Sequence, residues 1–224
     1  MASRPIPTYN RAMLPYRYLF GVDPSLTCSG WALFDVTSAE LLSVGKIKGG
    51  ASSIPLSSRL GTFHERIGEI YDRIGICRED IVVCEAPTTM KDPHNAIKVE
   101  QVRGIFESLA RARGAGVPGR VNPRSVQYEV MGLVGKQAVR AEVKLAAVRT
   151  VQHLYQESFS RIGFDTEMSA ITKHQDIVDA VLIGRLAVLR AQASVQSGVA
   201  IEQLFQGDRS SGSRRTWRVK SCAV

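Results

Sequence analysis

The chain has 224 residues, with 29 Lys and Arg against 21 Asp and Glu, so its formal charge is +8 and its pI is about 9.6. A hydrophobic content of 44% and a charged content of 22% are ordinary for a globular protein and exclude collagen-like and wholly disordered chains. No apolar run approaches the roughly 18 residues of a membrane span, so we do not expect an integral membrane protein.

Five short β-strands are predicted from runs of apolar and β-branched residues. The first ends at the turn signal Asp23-Pro24-Ser25, and two more follow so closely that we expect an antiparallel meander. The fourth is apolar until its last residue, which is typical of a buried strand. The predicted strands are 18–22, 29–36, 41–47, 80–85 and 117–121.

Apolar residues at helical spacing predict five helices after the meander. These helices are 56–74, 95–113, 123–133, 138–155 and 175–191. The order of the elements predicts an α/β protein in which a mixed five-stranded sheet is flanked by helices. In such sheets, functional residues gather at the carboxyl ends of the strands.

Both ends of the chain have the composition of basic tails. Residues 1–18 carry three arginines and no acid, and residues 207–224 carry a net charge of +4 in a segment rich in Ser, Gly and Arg. We therefore predict a basic N-terminal tail over 1–17, one domain over 18–206 and a flexible basic C-terminal tail over 207–224. Because the apolar core of a secretory signal is absent, we expect a cytoplasmic protein of a bacterial or phage-infected cell. An organellar or viral source fits the sequence as well.

Four acidic residues occupy positions that suggest a common site. Asp23 and Glu85 each end a predicted strand, while Asp176 and Asp179 are three residues apart in the first turn of the last helix and therefore share one face. Each acid alone also fits a structural role, as a turn former, a strand end or a helix cap. If the two strands are neighbours and the helix covers their ends, the four carboxylates converge, and a hard divalent cation such as Mg²⁺ would relieve their repulsion.

Four segments that carry these acids resemble RuvC-type Holliday-junction resolvases. They are LFGVDPSLTCSGWALF with Asp23, VVCEAP with Glu85, NAIKVEQVRGIFESLARARG with its Gln-x-Arg-Gly pattern, and HQDIVDAVLIGRLA with Asp176 and Asp179. The resemblance spans about residues 18–190 and keeps the order of the motifs. Any single motif is weak evidence, whereas four in sequence are fairly specific. One departure is that 86–90, after the second acid, lacks the aromatic residue of several family members.

The resemblance implies an RNase H-like fold and a structure-selective endonuclease that nicks four-way DNA junctions symmetrically as a homodimer, in recombination and repair. It further implies that Asp23, Glu85, Asp176 and Asp179 are catalytic and hold two Mg²⁺ ions, with Mn²⁺ as a substitute, for hydrolysis of a phosphodiester. Branched DNA, chiefly the four-way junction, is the expected partner.

The central part of the chain is basic and is predicted to contact DNA. Residues 97–149 carry a net charge of +6, between flanks of −3 over 19–96 and −2 over 150–206. In the family a lysine before the last helix lies near the active site, and Lys136 and Lys144 fit that position equally well. The candidate phosphate contacts are Lys98, Arg103, Arg111, Arg124, Lys136, Arg140 and Lys144.

Other functions compete with this one. An actin-like or sugar-kinase ATPase shares the opening motif, but it needs a second Gly-rich phosphate loop, and Asp179 is followed by Ala-Val-Leu instead. A DNA-binding scaffold that only keeps the fold would be expected to lack at least one of the four acids. A less selective RNase H-like nuclease that acts on flaps, other branched DNA or RNA–DNA hybrids is the main alternative, because selectivity depends on dimer geometry.

Overall fold

The computed structural model describes residues 15–87, 92–134 and 139–206. Their centre is a mixed sheet of five strands in the order β3-β2-β1-β4-β5. Strands β1 to β3 form the predicted antiparallel meander, while β4 and β5 continue the sheet parallel to β1. The strands are β1 Tyr18–Asp23, β2 Cys28–Asp35, β3 Leu41–Lys48, β4 Ile81–Glu85 and β5 Arg120–Val121.

The first helix matches its prediction at both ends. It begins after Pro55 and ends at Gly75, whose φ of 71° closes the helix in the left-handed region that favours glycine. The seven helices of the described ranges are α1 Leu56–Ile74, α2 Pro93–Ala112, α3 Pro123–Ser125, α4 Arg140–Arg161, α5 Met168–Thr172, α6 Gln175–Ser197 and α7 Ile201–Gln206. None of them is long and apolar enough to cross a membrane.

Several predicted elements differ from the structure. The predicted helix 123–133 is a short α3 that widens into a π-helical turn over Val126–Val130, where the Met131 amide donates to the Val126 carbonyl at 3.1 Å. The predicted helix 138–155 continues to Arg161 beyond an interruption at Tyr155, whose backbone is not helical. The fifth strand is two residues long because Pro118 has no amide hydrogen to donate to a ladder.

The two faces of the sheet are covered by different helices. Leu19 and Val83 point to one face and pack with α4 and α6, whereas Phe20, Val22 and Val82 point to the other and pack with α1 and α2. Successive side chains of a strand alternate between faces, so both faces of β1 and β4 are buried. The predicted α/β architecture, a mixed five-stranded sheet flanked by helices, is confirmed.

Candidate active site

Asp23 and Glu85 end two neighbouring parallel strands. Val22 of β1 is level with Cys84 of β4, so the next residue of each strand lies at the same edge of the sheet. By the alternation of strand side chains, Asp23 shares a face with Leu19, and Glu85 shares the same face with Val83. Both carboxylates therefore lie on the face that α6 covers, as the sequence predicted.

Helix α6 reaches these strand ends because glycines at the contact let its backbone pack directly against the backbone of the sheet. A Cβ atom added to Gly30, which pairs with Asp23 in β2, would lie 1.9 Å from the carbonyl oxygen of Asp176. A Cβ atom on Gly21 would lie 2.7 Å from Cα of Gly184. The absence of side chains at these points brings the first turn of α6, with Asp176 and Asp179, against the ends of β1 and β2.

The four acids form an electrostatically coupled group. Burial raises the pKa of Asp23 well above its ordinary value, and the charges of Glu85, Asp179 and Asp176 raise it further, in that order. All four side chains nevertheless keep part of their surface accessible to solvent. An ion from solvent can therefore reach them.

The other two carboxyls with raised pKa values have different surroundings. Burial and then the charge of Asp179 raise the pKa of Glu85 to about 7. Burial also raises the pKa of Asp179. Three groups lower it: the side-chain amide of Gln175, which donates a hydrogen bond of 3.0 Å, and the charges of Lys144 and Arg140. Several carboxylates that each disfavour the others' ionisation are typical of a functional site.

Sequence reasoning missed Lys46 of β3. Its ammonium donates to Oδ2 of Asp176 at 3.1 Å. In the register of the sheet, Lys46 is level with Gly30 and hence with Asp23. The strand order β3-β2-β1 could have revealed it, because two antiparallel pairings place these three residues in one row.

His174 precedes the two helical aspartates and caps α6 with its backbone. Its carbonyl accepts hydrogen bonds from the amides of Ile177 and Val178 at 2.9 and 3.1 Å. Its ring makes an edge contact with Phe164, with centroids 5.3 Å apart, and its buried Nδ1 has no hydrogen-bond partner among the described residues. These contacts give His174 a role in starting the helix.

The donor chemistry of the site fits a divalent cation. Four carboxylates that repel one another, with accessible oxygens, are the ligands that Mg²⁺ prefers. Among the described residues, however, no group of three or more His, Cys, Asp and Glu side chains is arranged to hold a metal ion. The repulsion among the carboxylates nevertheless favours the binding of a cation, and Lys46 and Gln175 each bind one of the carboxylates.

No protein-family model and no curated protein sequence matches the chain. The structure of Thermus thermophilus RuvC in complex with a Holliday junction substrate is similar, with a TM-score of 0.57 and 21% identity over 80% of this chain and 96% of RuvC. A second structure of Thermus thermophilus RuvC has a TM-score of 0.58 and 21% identity, over 79% and 96% of the two chains. The fold is that of RuvC. The resemblance predicted from the motifs is therefore confirmed at the level of the fold.

On this RuvC fold, Arg103 is not a surface residue, and its predicted contact with phosphate is wrong. Its side chain is 2% exposed, donates from Nε to the carbonyl oxygen of Glu85 at 2.7 Å and pairs with Glu100. Its charge lowers the pKa of both Asp23 and Glu85. Arg103 thus lies under the carboxylates as an internal cation, since a buried guanidinium needs fixed acceptors.

Arg140 and Lys144 lie where a nucleic acid could reach the carboxylates. Both are exposed in the first turns of α4, and both act electrostatically on Asp179. Together with Glu85 and Asp179 they border a groove of about 200 Å³. The other residues that line it are Pro123, Val126, Gln127, Met131, Val143, Ala147, Gln175, Leu182 and Ile183.

The remaining predicted DNA contacts lie in different places. Lys98 is half-buried on α2, and Arg124 is exposed in α3, next to the groove. Arg111 is in the last turn of α2. The chain continues from there to Gly116, which pairs with Ile81, the first residue of β4. Arg111 therefore lies at the end of the sheet opposite Glu85. Lys136 lies outside the described residues.

Proposed function

We propose that this chain is a Mg²⁺-dependent endonuclease of the RuvC type that nicks four-way DNA junctions symmetrically. The observation that carries the proposal is the meeting of Asp23, Glu85, Asp176 and Asp179 at one edge of a sheet with the RuvC fold. The solved complex of RuvC with a Holliday junction substrate supports the choice of a branched DNA substrate. Recombination and repair are the processes that produce such junctions.

The four carboxylates would hold two Mg²⁺ ions, with Mn²⁺ as a substitute. When bound, such ions polarise a phosphodiester and stabilise negative charge on the attacking and the leaving oxygen. Asp23 pairs with Gly30 of β2 and Glu85 pairs with Val121 of β5, so each would supply a ligand from a strand end that the ladder holds on one side. Because the pKa of Glu85 is about 7, ion binding at neutral pH releases protons from the site.

The basic residues around the groove would position the DNA backbone. Lys144 and Arg140 are exposed beside Asp179, so a phosphate held between them lies close to the carboxylates. A guanidinium can bind two phosphate oxygens at once, whereas an ammonium acts as a point charge. Arg140 is therefore the better candidate for orientation and Lys144 for charge stabilisation.

A homodimer follows from the proposed reaction, because two symmetric nicks need two sites related by a twofold axis. Each subunit would then cut one of two equivalent strands. Sedimentation velocity of the purified chain should give the mass of a dimer, and a monomer that remains monomeric on junction DNA would contradict this part of the proposal.

The decisive experiment uses labelled four-way, flap, duplex and RNA–DNA hybrid substrates in Mg²⁺. Paired nicks at symmetric positions, confined to the four-way junction, support the proposal. Equal cutting of flaps or hybrids would favour the less selective RNase H-like nuclease. A suitable control is Asp35→Asn, because Asp35 ends β2 on the side of the sheet away from Asp23 and its carboxylate accepts hydrogen bonds from Ser38. Cleavage should persist in this variant.

A further inference from the structure

Lys46 is a charged side chain in direct contact with Asp176, one of the candidate cation ligands. It lies on β3, the edge strand of the sheet, in the same cross-strand row as Gly30 and Asp23. Neighbouring strands are about 4.8 Å apart, so the backbones of Lys46 and Asp23 are separated by roughly 10 Å. The side chains of both lie on the face that α6 covers.

The missing side chain of Gly30 is what brings Asp176 within reach of Lys46. The carbonyl group of Asp176 occupies the space above Gly30, midway along the row between β1 and β3. From there its side chain reaches Lys46, with Oδ2 at 3.1 Å from the ammonium. Any larger residue in place of Gly30 would lift the helix away from both neighbours.

The Lys46–Asp176 pair is better shielded than an ordinary surface ion pair. The two side chains are 20% and 34% exposed. Reduced solvent screening strengthens the attraction between opposite charges and also the repulsion between Lys46 and any further cation nearby. Lys144 and Arg140, the cations beside Asp179, are by contrast exposed.

We propose that Lys46 is a built-in counter-cation of Asp176 that competes with a divalent ion for this carboxylate. The inference rests on the proposed function, in which the four acids bind divalent ions. Lys46 is then a positioning residue, since it acts through Asp176. Its ammonium holds the carboxylate while the ion is absent, and its charge weakens the binding of the ion that uses Asp176.

The test is a Mn²⁺ titration of the full chain without DNA, with the free ion measured by electron paramagnetic resonance. Lys46→Gln should bind the weakest-bound ion about tenfold more tightly than the unaltered chain, because a competing positive charge is gone. Lys46→Arg keeps the charge and should bind as the unaltered chain does. Lys48→Gln, two residues along the same strand and exposed, is the matched control and should have no effect.

A second variant shows whether Lys46 acts through Asp176. In an Asp176→Asn background, Lys46→Gln should leave the Mn²⁺ affinity unchanged, because the carboxylate for which Lys46 and the ion compete is gone. The inference is overturned if Lys46→Gln binds Mn²⁺ no more tightly, if Lys48→Gln has the same effect, if the effect persists in the Asp176→Asn background, or if neither the unaltered chain nor Lys46→Gln binds Mn²⁺.

The outcome is independent of the cleavage assay, because no DNA is present. If the Mn²⁺ affinities follow the expected order while no substrate is cut, the role of Lys46 stands and the nuclease proposal fails. If four-way junctions are nicked while the affinities of the chain and of Lys46→Gln are equal, the nuclease proposal stands and the role of Lys46 is rejected.

Discussion

Strand β4 has a carboxylate at each end, and the two have opposite surroundings. Asp80, directly before the strand, is fully buried and accepts hydrogen bonds from Nε and Nη2 of Arg17 at 3.1 and 2.8 Å. It also accepts from the backbone amides of Tyr18 and Cys77 at 3.1 and 2.9 Å. One aspartate thus joins the starts of β1 and β4.

Glu85, at the last residue of the same strand, is close to other carboxylates. Burial and then the charge of Asp179 raise its pKa, whereas the charge of Arg103, which is hydrogen-bonded to its backbone carbonyl, lowers it. A buried carboxylate with a full set of donors stabilises a fold, whereas a group of mutually repelling carboxylates costs stability and is kept for what it binds. The two ends of β4 therefore separate a structural carboxylate from a candidate functional one.

The largest expected effect is on the proposed cleavage. If the chain is the proposed nuclease, Asp23→Asn should lower the rate of junction nicking in Mg²⁺ by about a thousandfold or more, because an amide is a poor ligand for the ions that would stabilise the reacting oxygens. Junction binding in a gel-shift assay should be nearly unchanged. Asp80→Asn should still nick per folded molecule, and retained cleavage by Asp23→Asn would contradict the assignment of the site.

The next effect is on stability, at the other end of β4. Asp80→Ala should lower the free energy of unfolding by about 3 kcal/mol, because the Arg17 guanidinium and two backbone amides lose their acceptor in the interior. Urea denaturation followed by circular dichroism measures the change. A loss below about 1 kcal/mol would show that Asp80 does not hold the starts of β1 and β4 together.

The pH dependence of stability should separate the two ends of β4 as well. Without divalent ions, the folded chain holds a proton on Glu85 up to about pH 7, whereas the unfolded chain loses it near the ordinary value of 4.5. The free energy of unfolding should therefore fall, by about 2 kcal/mol, as the pH rises from about 5 to about 7.5. Glu85→Gln should flatten this decline in denaturation curves recorded in EDTA, and an equal slope in both proteins would contradict the coupling.

The smallest expected effect concerns DNA affinity. Lys144→Gln should weaken junction binding by about fivefold and reduce the dependence of log affinity on log salt by about one. Arg111→Gln, which removes a charge at the far end of the sheet, is the matched control and should change neither quantity. Equal effects of the two substitutions would show that the basic charge acts without regard to position.

Local signals in the sequence were sufficient for most of the fold and for the four acids. Helix α1 is predicted to the residue because its apolar side chains recur at helical spacing from Leu56 to Ile74. Asp23 and Glu85 are recognisable because each interrupts an apolar strand at its last residue. Helices α5 and α7 were missed, since five and six residues are too few to display a helical period.

The residues that sequence reasoning misjudged depend on contacts between distant segments. Arg103 fits the pattern of a surface helix, but its guanidinium donates to the Glu85 carbonyl, 18 residues earlier, and this acceptor helps to account for its burial. Lys46 pairs with a residue 130 positions away, which the chain order alone does not bring together. Whether a basic side chain is buried thus depends on the acceptors that other segments offer it, as well as on the pattern of its own segment.

The contact between α6 and the sheet at Gly21, Gly30 and Gly184 bears on sequence divergence. Where helix and strands meet main chain to main chain, their separation is independent of the size of the surrounding core side chains. Those side chains can be exchanged over evolutionary time while the helical aspartates stay at the same height above β1. A chain only 21% identical to RuvC can in this way keep the same fold.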